Sequence, residues 1–255
     1  MLFDTHAHFN DNRFKHDRDE AIKKAYESGV SYILNVAYNI PSIEHSLSLA
    51  RRYSFIYAAL GIHPHYSKET GDEVLDKIRS LAENKKVVAI GEIGLDYYRD
   101  LSPREVQKKW FIKQIALAKE LKLPIIVHIR DANEDALSVL KAENAKEVGG
   151  IIHSFSGDID MAREVLYNNF YISVGGPVTY RNARNLVDVV KFVPEERLLI
   201  ETDCPYLTPE PFRGKRNDSG LVRLVAEKIA EIKSKSFEEI ACITTNNAKT
   251  LLGIS

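Results

Sequence analysis

The chain has 255 residues, with 35 basic against 36 acidic side chains, a net charge of -1, and 44% hydrophobic and 28% charged residues. These are ordinary globular values that exclude a global electrostatic drive toward nucleic acid or anionic membrane, so a polyanion would have to be bound locally or through bound metal ions. Two cysteines, Cys204 and Cys242, are too few for a disulfide framework or a cysteine-built zinc site.

No apolar run approaches the roughly 18 residues that span a bilayer. At the N-terminus, Asp4 and two histidines stand where a secretory leader needs a basic and then an apolar segment. A cytoplasmic protein with no membrane partner and no obligate protein partner is expected.

Apolar, often β-branched runs alternate with amphipathic segments along the whole chain, the pattern of a parallel sheet wrapped by helices. The first predicted strand, Leu2 to Thr5, runs into His6 and His8, which strand alternation would turn to one side, as two ligands of one ion require. Alone, this H-x-H is better explained by surface or capping histidines. A helix over Asp17 to Ser28, a strand over Tyr32 to Val36 and a helix over Ser42 to Arg52 follow. The third strand, Phe55 to Leu60, ends just before His63 and His65, and a helix over Glu73 to Glu83 leads to a strand over Val87 to Ile90. Glu92 comes next between Gly91 and Gly94, where a bent backbone lets a carboxylate approach closely enough to bridge two metals.

Ser102, Pro103 and Glu105 read as cap, first-turn proline and early acid of a helix over Pro103 to Lys122, which Pro124 stops. Strands over Ile125 to Val127 and Gly150 to Ile152 end at His128 and His153. Helices over Asn133 to Ala142, Asp160 to Asn168 and Arg181 to Val193 alternate with the last strands, Tyr171 to Val174 and Leu198 to Ile200. Helices over Leu221 to Lys233 and Ser236 to Leu252 close the chain, the latter opened by a Ser236/Glu239 capping-box pattern. Eight strand–helix units without a linker suit a single (β/α)8 domain over residues 1–255, and no G-x-G-x-x-G follows the first strand to favour an open sheet.

Six of the eight histidines, His6, His8, His63, His65, His128 and His153, thus fall at predicted strand C-termini, which in a barrel all open on one face. Glu92 and Asp203 join them. Asp203 would bind a metal and hold or deprotonate the attacking water, whereas Glu201 reads more readily as a capping or salt-bridged acid. A mixed imidazole–carboxylate set suits Zn, Mn, Ni or Fe more than Mg. There is no G-x-S-x-G elbow to suggest a covalent route, and Cys204 beside Asp203 reads as a small buried filler. Arg130 and a basic loop with Arg213, Lys215 and Arg216 flank the same mouth, a place for phosphate if not simply solvated surface. Tyr97, Tyr98 and Tyr206 would stack on bases, though rim tyrosines more often pack.

The motifs "DTHAHFND", "GIHPH", "GEIGLDYY", "VHIRDA", "IIHSFSG", "YISVGG", "ETDCPYL" and "RGKRN" occur in an order and spacing that resembles the TatD family of metal-dependent deoxyribonucleases across essentially the whole chain. The resemblance implies a distorted TIM barrel of the amidohydrolase superfamily with two divalent ions (Zn, Mg or Mn), hydrolysing DNA phosphodiesters, often from the 3' end of single strands. It implies a first metal on His6, His8, Glu92 and Asp203, a second on Glu92, His128 and His153, and a phosphate contact from His63. The expected catalytic residues are Asp203 and Glu92, with His63, His65, Arg130, Lys215 and Arg216 binding substrate. After "RGKRN" this chain has Asp218-Ser219 where the family commonly reads Glu-Pro. Two other readings of the residues are a hydrolase of a lactone, amide or phosphotriester, and a metal-bound protein that acts by interaction alone.

Overall fold

The computed structural model describes residues 1–254. Eight parallel strands pair in chain order, β1 with β2 through to β7 with β8. They are β1 (Leu2–Ala7), β2 (Val30–Val36), β3 (Ile56–Leu60), β4 (Val87–Asp96), β5 (Ile125–Arg130), β6 (Gly150–Ile152), β7 (Phe170–Val174) and β8 (Leu198–Ile200). Between them run α1 (Arg18–Glu27), α2 (Ile40–Arg52), α3 (Glu73–Leu81), α4 (Arg104–Leu121), α5 (Asn133–Ala142), α6 (Ile159–Tyr167) and α7 (Arg184–Phe192), and α8 (Val222–Lys233) and α9 (Phe237–Leu252) follow β8. Among the described residues no helix is long and apolar enough to cross a membrane.

The sheet curls into a nearly closed barrel with one seam, between β1 and β8. β8 is three residues long and leaves β1 a single bridge, Ala7 to Cys204. Side chains complete the join: Asp4 accepts from the Thr202 backbone N–H at 2.9 Å, the Thr202 hydroxyl at 2.6 Å and the Ser219 hydroxyl at 2.5 Å. Asp203 N–H donates to the His6 carbonyl and His8 N–H to the Cys204 carbonyl, each at 2.8 Å. Ser219, which departs from the family loop, thus has a structural partner in β1.

Apolar side chains fill both sides of the sheet, which is why the strands read as continuous apolar runs. Phe3, Leu34, Val36, Ile126, Ile151 and Leu199 form a smaller cluster with Ala248, Leu252 and Ile254 from the C-terminal end, while the larger cluster lies between strands and surrounding helices.

Several boundaries move for local reasons. β4 does not stop at Ile90 but runs on through Glu92 to Asp96. It can do so because Gly91 and Gly94 lie against β5: a Cβ on Gly91 would meet Ile126 at 2.6 Å, and one on Gly94, whose φ is +137°, would collide with the His128 carbonyl. α2 starts at Ile40, two residues early, because Asn39 and Ser42 form a reciprocal capping box with Pro41 in the first turn. The expected Ser102 cap is not made. Pro103 takes the cap position, and the Ser102 hydroxyl donates instead to the His65 carbonyl at 3.0 Å. The Ser236/Glu239 capping box is present.

Candidate metal centre

A cavity of about 1080 Å³ opens at the C-terminal ends of the strands, lined by His8, His63, Glu92, His128, His153 and Asp203 among others. His6 lies beneath it, fully buried. His6 and His8 converge, their Nε2 atoms 3.1 Å apart, but not through simple alternation. β1 ends at Ala7, with a register irregularity between Asp4 and Ala7, and His8 is the next residue. Asn35 helps to hold that exit by accepting the Phe9 N–H at 2.7 Å.

Glu92 lies between two groups of imidazoles. Its Oε2 faces His6 Nε2 at 3.5 Å and His8 Nε2 at 3.6 Å, while Oε1 faces His153 Nε2 at 2.9 Å and His128 Nδ1 at 3.0 Å. Asp203 Oδ1 completes the first group, 3.4 Å from His8 Nε2 and 3.9 Å from His6 Nε2. Asp203 holds a left-handed backbone, φ +55°, a conformation Asp adopts more readily than most residues. The two groups touch where the His6 and His153 rings stack at 3.9 Å.

The hydrogen bonds behind these rings decide what they offer. His8 Nδ1 lies 2.9 Å from the Val36 carbonyl, which can only accept, so Nδ1 carries the proton and the Nε2 lone pair faces the other acceptors. A lone pair aimed at carboxylates and a second imidazole needs a cation between them. Two nitrogens bound to one ion at zinc-like distances end roughly 2.9–3.4 Å apart for tetrahedral to octahedral angles. The His6–His8 and His128–His153 nitrogen pairs, each at 3.1 Å, fit this spacing. His6 Nδ1 and His153 Nδ1 are buried without a hydrogen-bond partner.

The electrostatics agree. Burial alone would push Glu92 up, but the imidazoles of His63 and His153, with hydrogen bonds from His128 and His153, hold it well below the usual carboxylate range. Burial likewise opposes charge on His8, His128 and His153, yet the carboxylates raise all three, His153 well above the ordinary histidine value. A positive charge is favoured here, and protons occupy in the metal-free protein what a divalent ion would take.

His63 has a different part. Its Nδ1 accepts the His65 N–H at 3.1 Å, so its proton sits on Nε2 and that nitrogen is a donor. Burial holds the ring well below the ordinary histidine value against the pull of Glu92, whose Oε1 lies 3.5 Å from Nε2. Arg130 and Lys215 line the cavity, Arg130 with its guanidinium 4.1 Å from the Tyr98 ring centroid. The structure does not bring Arg216 to the mouth: its guanidinium pairs with Asp17 at 2.5 and 2.8 Å and turns away from the cavity. Arg213 lies over Tyr180 at 4.2 Å. Tyr206 lines the mouth, with its hydroxyl 3.0 Å from Asp11 and Arg13 4.1 Å over its ring, whereas the Tyr97 hydroxyl is tied to Asp135 at 2.7 Å.

Two carboxylates have parts that the sequence did not announce. Asp96, at the end of β4, accepts from His65 Nε2 at 2.9 Å and His128 Nε2 at 3.1 Å. The signal was present, since Asp96 follows Glu92 by four residues on what proves to be one strand. Glu201 is fully buried and is the salt-bridged rather than the capping acid: its Oε1 accepts the Ser154 N–H at 2.7 Å and lies 3.4 Å from His153 Nδ1.

The chain matches known proteins along its whole length. It is 52% identical over 255 residues to YabD, an uncharacterized metal-dependent hydrolase of Bacillus subtilis (strain 168), and 34% identical over 260 residues to the 3'-5' ssDNA/RNA exonuclease TatD of Citrobacter koseri, with 100% of both chains covered in each case. The crystal structure of YjjV, a TatD homolog from Escherichia coli K12, matches with a TM-score of 0.93 at 33% identity, covering 100% of this chain and 98% of that one. Residues 3–253 match the family described as TatD related DNase, and the chain belongs to that family of metal-dependent hydrolases.

Proposed function

We propose that the whole chain acts as one catalytic domain, a two-metal phosphodiesterase that removes nucleotides from the 3' end of single-stranded DNA. The observation that carries this reading is the division of Glu92, with Oε2 toward His6 and His8 and Oε1 toward His128 and His153. Such a carboxylate is built to be shared by two ions. His6, His8, Glu92 and Asp203 would hold one, and Glu92, His128 and His153 the other. When bound, divalent ions supply polarisation of the phosphoryl oxygens and a more acidic water.

The chain's own residues do the rest. Asp203 is held below the usual carboxylate range, against burial, by its hydrogen bond with His8 and the nearby imidazoles, so it is ionised and able to orient a water and take its proton. His63 donates from Nε2 to a non-bridging phosphoryl oxygen, a bond that strengthens as charge builds there. His65, Arg130 and Lys215 flank that oxygen from the cavity wall. Arg13 and Arg99 line the same cavity and add local positive charge that the near-neutral chain lacks overall. The likeness to an exonuclease named for both single-stranded DNA and RNA brings RNA within the same reading.

The test is digestion of 5'-labelled single-stranded DNA and RNA by protein reconstituted with Mg, Mn, Co or Zn, with Asp203→Asn as control. A ladder shortening from the 3' end is expected. Absence of products with every metal would overturn the reading, and turnover only of a parallel lactone or phosphotriester panel would replace it with a small-molecule hydrolase.

A further inference from the structure

Asp96 stands behind the imidazoles at the end of β4, and it decides which nitrogen one of them can offer. Its Oδ2 lies 3.1 Å from His128 Nε2 and 2.9 Å from His65 Nε2, and its Oδ1 accepts the Arg99 backbone N–H at 2.8 Å. A carboxylate kept ionised has only acceptors, so all three partners donate. His128 therefore keeps a proton on Nε2, and Nδ1, which faces Glu92 Oε1 at 3.0 Å and His153 Nε2 at 3.1 Å, is the nitrogen that can give up its proton and offer a lone pair to an ion. The carboxylate itself cannot drift. Its backbone N–H donates to Gln107 Oε1 at 2.9 Å, and Gln107 Nε2 donates back to the Asp96 and Ser102 carbonyls at 3.2 and 2.8 Å, which fastens the end of β4 to α4.

We infer that Asp96 is a positioning residue for one ion alone, the one between Glu92, His128 and His153, and that it ties that ion to His65 on the phosphate-facing wall through a single shared oxygen. This rests on the two-ion reading above. Asp is required because both ends of the side chain must accept. An Asn in its place would set an amide NH2 against either the Arg99 N–H or the two imidazole N–H groups, whichever way it turned.

The experiment titrates metal-free wild type, Asp96→Asn, His128→Asn and the double variant with Mn2+ by calorimetry. Wild type is expected to bind two ions. Asp96→Asn should weaken one of them by roughly 10–100-fold, the usual cost of losing the partner behind a ligating imidazole, and leave the other unchanged. The double variant should bind no more weakly than His128→Asn, because Asp96 acts through His128. Wild-type affinity at both sites in Asp96→Asn, equal weakening of both, or additive losses in the double variant would overturn the inference while leaving the two-ion reading intact. A single ion in wild type would overturn both. A measurement that needs no variant is the 15N spectrum of His128 in Zn2+-loaded protein: a protonated Nε2 is expected, and a protonated Nδ1 would refute the assignment.

Discussion

The two flanks of Glu92 are built by different means. His6, His8 and Asp203 meet across the barrel seam, where β1 and β8 share one bridge and are joined by side chains on Asp4. His128 and His153 stand at the ends of neighbouring strands whose ladder is continuous from Ile125 and Gly150 onward. Behind the first flank, His8 meets a backbone carbonyl; behind the second, His128 is hydrogen-bonded to the Asp96 carboxylate, and the Glu201 carboxylate lies 3.4 Å from His153 Nδ1 at ion-pair distance without a hydrogen bond. A carboxylate makes the imidazole it backs more basic than a carbonyl does. The seam flank therefore depends on local hydrogen bonds for its shape, and the ladder flank on buried charge for its affinity.

The largest effect should come from the one residue both flanks share. Glu92→Gln removes the charge that faces five imidazole nitrogens, those of His6, His8, His63, His128 and His153, and on the proposed reading it should abolish binding of both ions, with a fall in phosphodiesterase kcat/KM beyond the roughly 100-fold set by partners behind ligands. Elemental analysis beside kinetics checks this. Retention of two ions would remove the basis for treating the flanks as two sites.

Acidification should then separate them. His128 and His153 are both raised on the ladder flank, where the nearby carboxylates overcome burial. On the seam flank His8 is raised, but burial and the neighbouring His153 lower His6. A raised imidazole must shed its proton to take a metal, so affinity falls as pH drops through its elevated range. Affinity at the ladder flank should therefore fall more steeply on acidification than affinity at the seam flank. Mn2+ titrations between pH 8 and pH 5.5 would read these slopes, and a steeper slope at the seam flank would reverse the comparison.

Much of this was legible in the sequence because strand-end histidines and a glycine-flanked Glu92 report topology directly. Eight apolar runs fix eight strands, and parallel strands send all their C-termini to one face. What could not be read were the groups that face those ligands from behind. Asp96 drew no reading because the apolar run ends at Ile90, and only the close packing of Gly91 and Gly94 on β5 shows that β4 continues. Asp4 spoke in the sequence only against a secretory leader, since its partners Thr202 and Ser219 lie about two hundred residues away. Glu201 differs from an exposed acid only by burial, which a three-residue strand does not announce.

Asp4 offers the next test of the seam. Burial, opposed by its hydrogen bonds with Ser219 and Thr202, pushes it up to about 7 from 3.8. The folded chain thus holds a proton that the unfolded chain has released, and stability falls as pH rises from about 4 to about 7, by at most about 4 kcal/mol. Asp4→Asn is neutral at every pH, and the hydroxyls of Thr202 and Ser219 can rotate to accept from its amide. The variant should lose this pH dependence and unfold at higher denaturant than wild type at pH 8, but not at pH 4. Urea titrations at both values check the sign; an identical pH profile in wild type and variant would contradict it.

The smallest effect is expected at the mouth, where two adjacent cations part company. Lys215 lines the cavity, whereas Arg216 turns the other way and fastens the loop to Asp17 and to the Arg13 carbonyl. The Lys215 N–H closes a turn on the Phe212 carbonyl at 3.0 Å, and the chain leaves that turn at Arg216, so a run of basic letters cannot say which of them meets the substrate. An exposed ion pair of this kind contributes about 0–1 kcal/mol, and Arg216→Ala should change stability by no more than that and kcat by less than about twofold. On the proposed reading, Lys215→Ala should instead raise KM for DNA and flatten its salt dependence by about one charge. The measurement is KM against salt for both variants. A flattened slope for Arg216→Ala, with none for Lys215→Ala, would mean that the loop turns over when substrate arrives and that the Asp17 pair belongs only to the free enzyme.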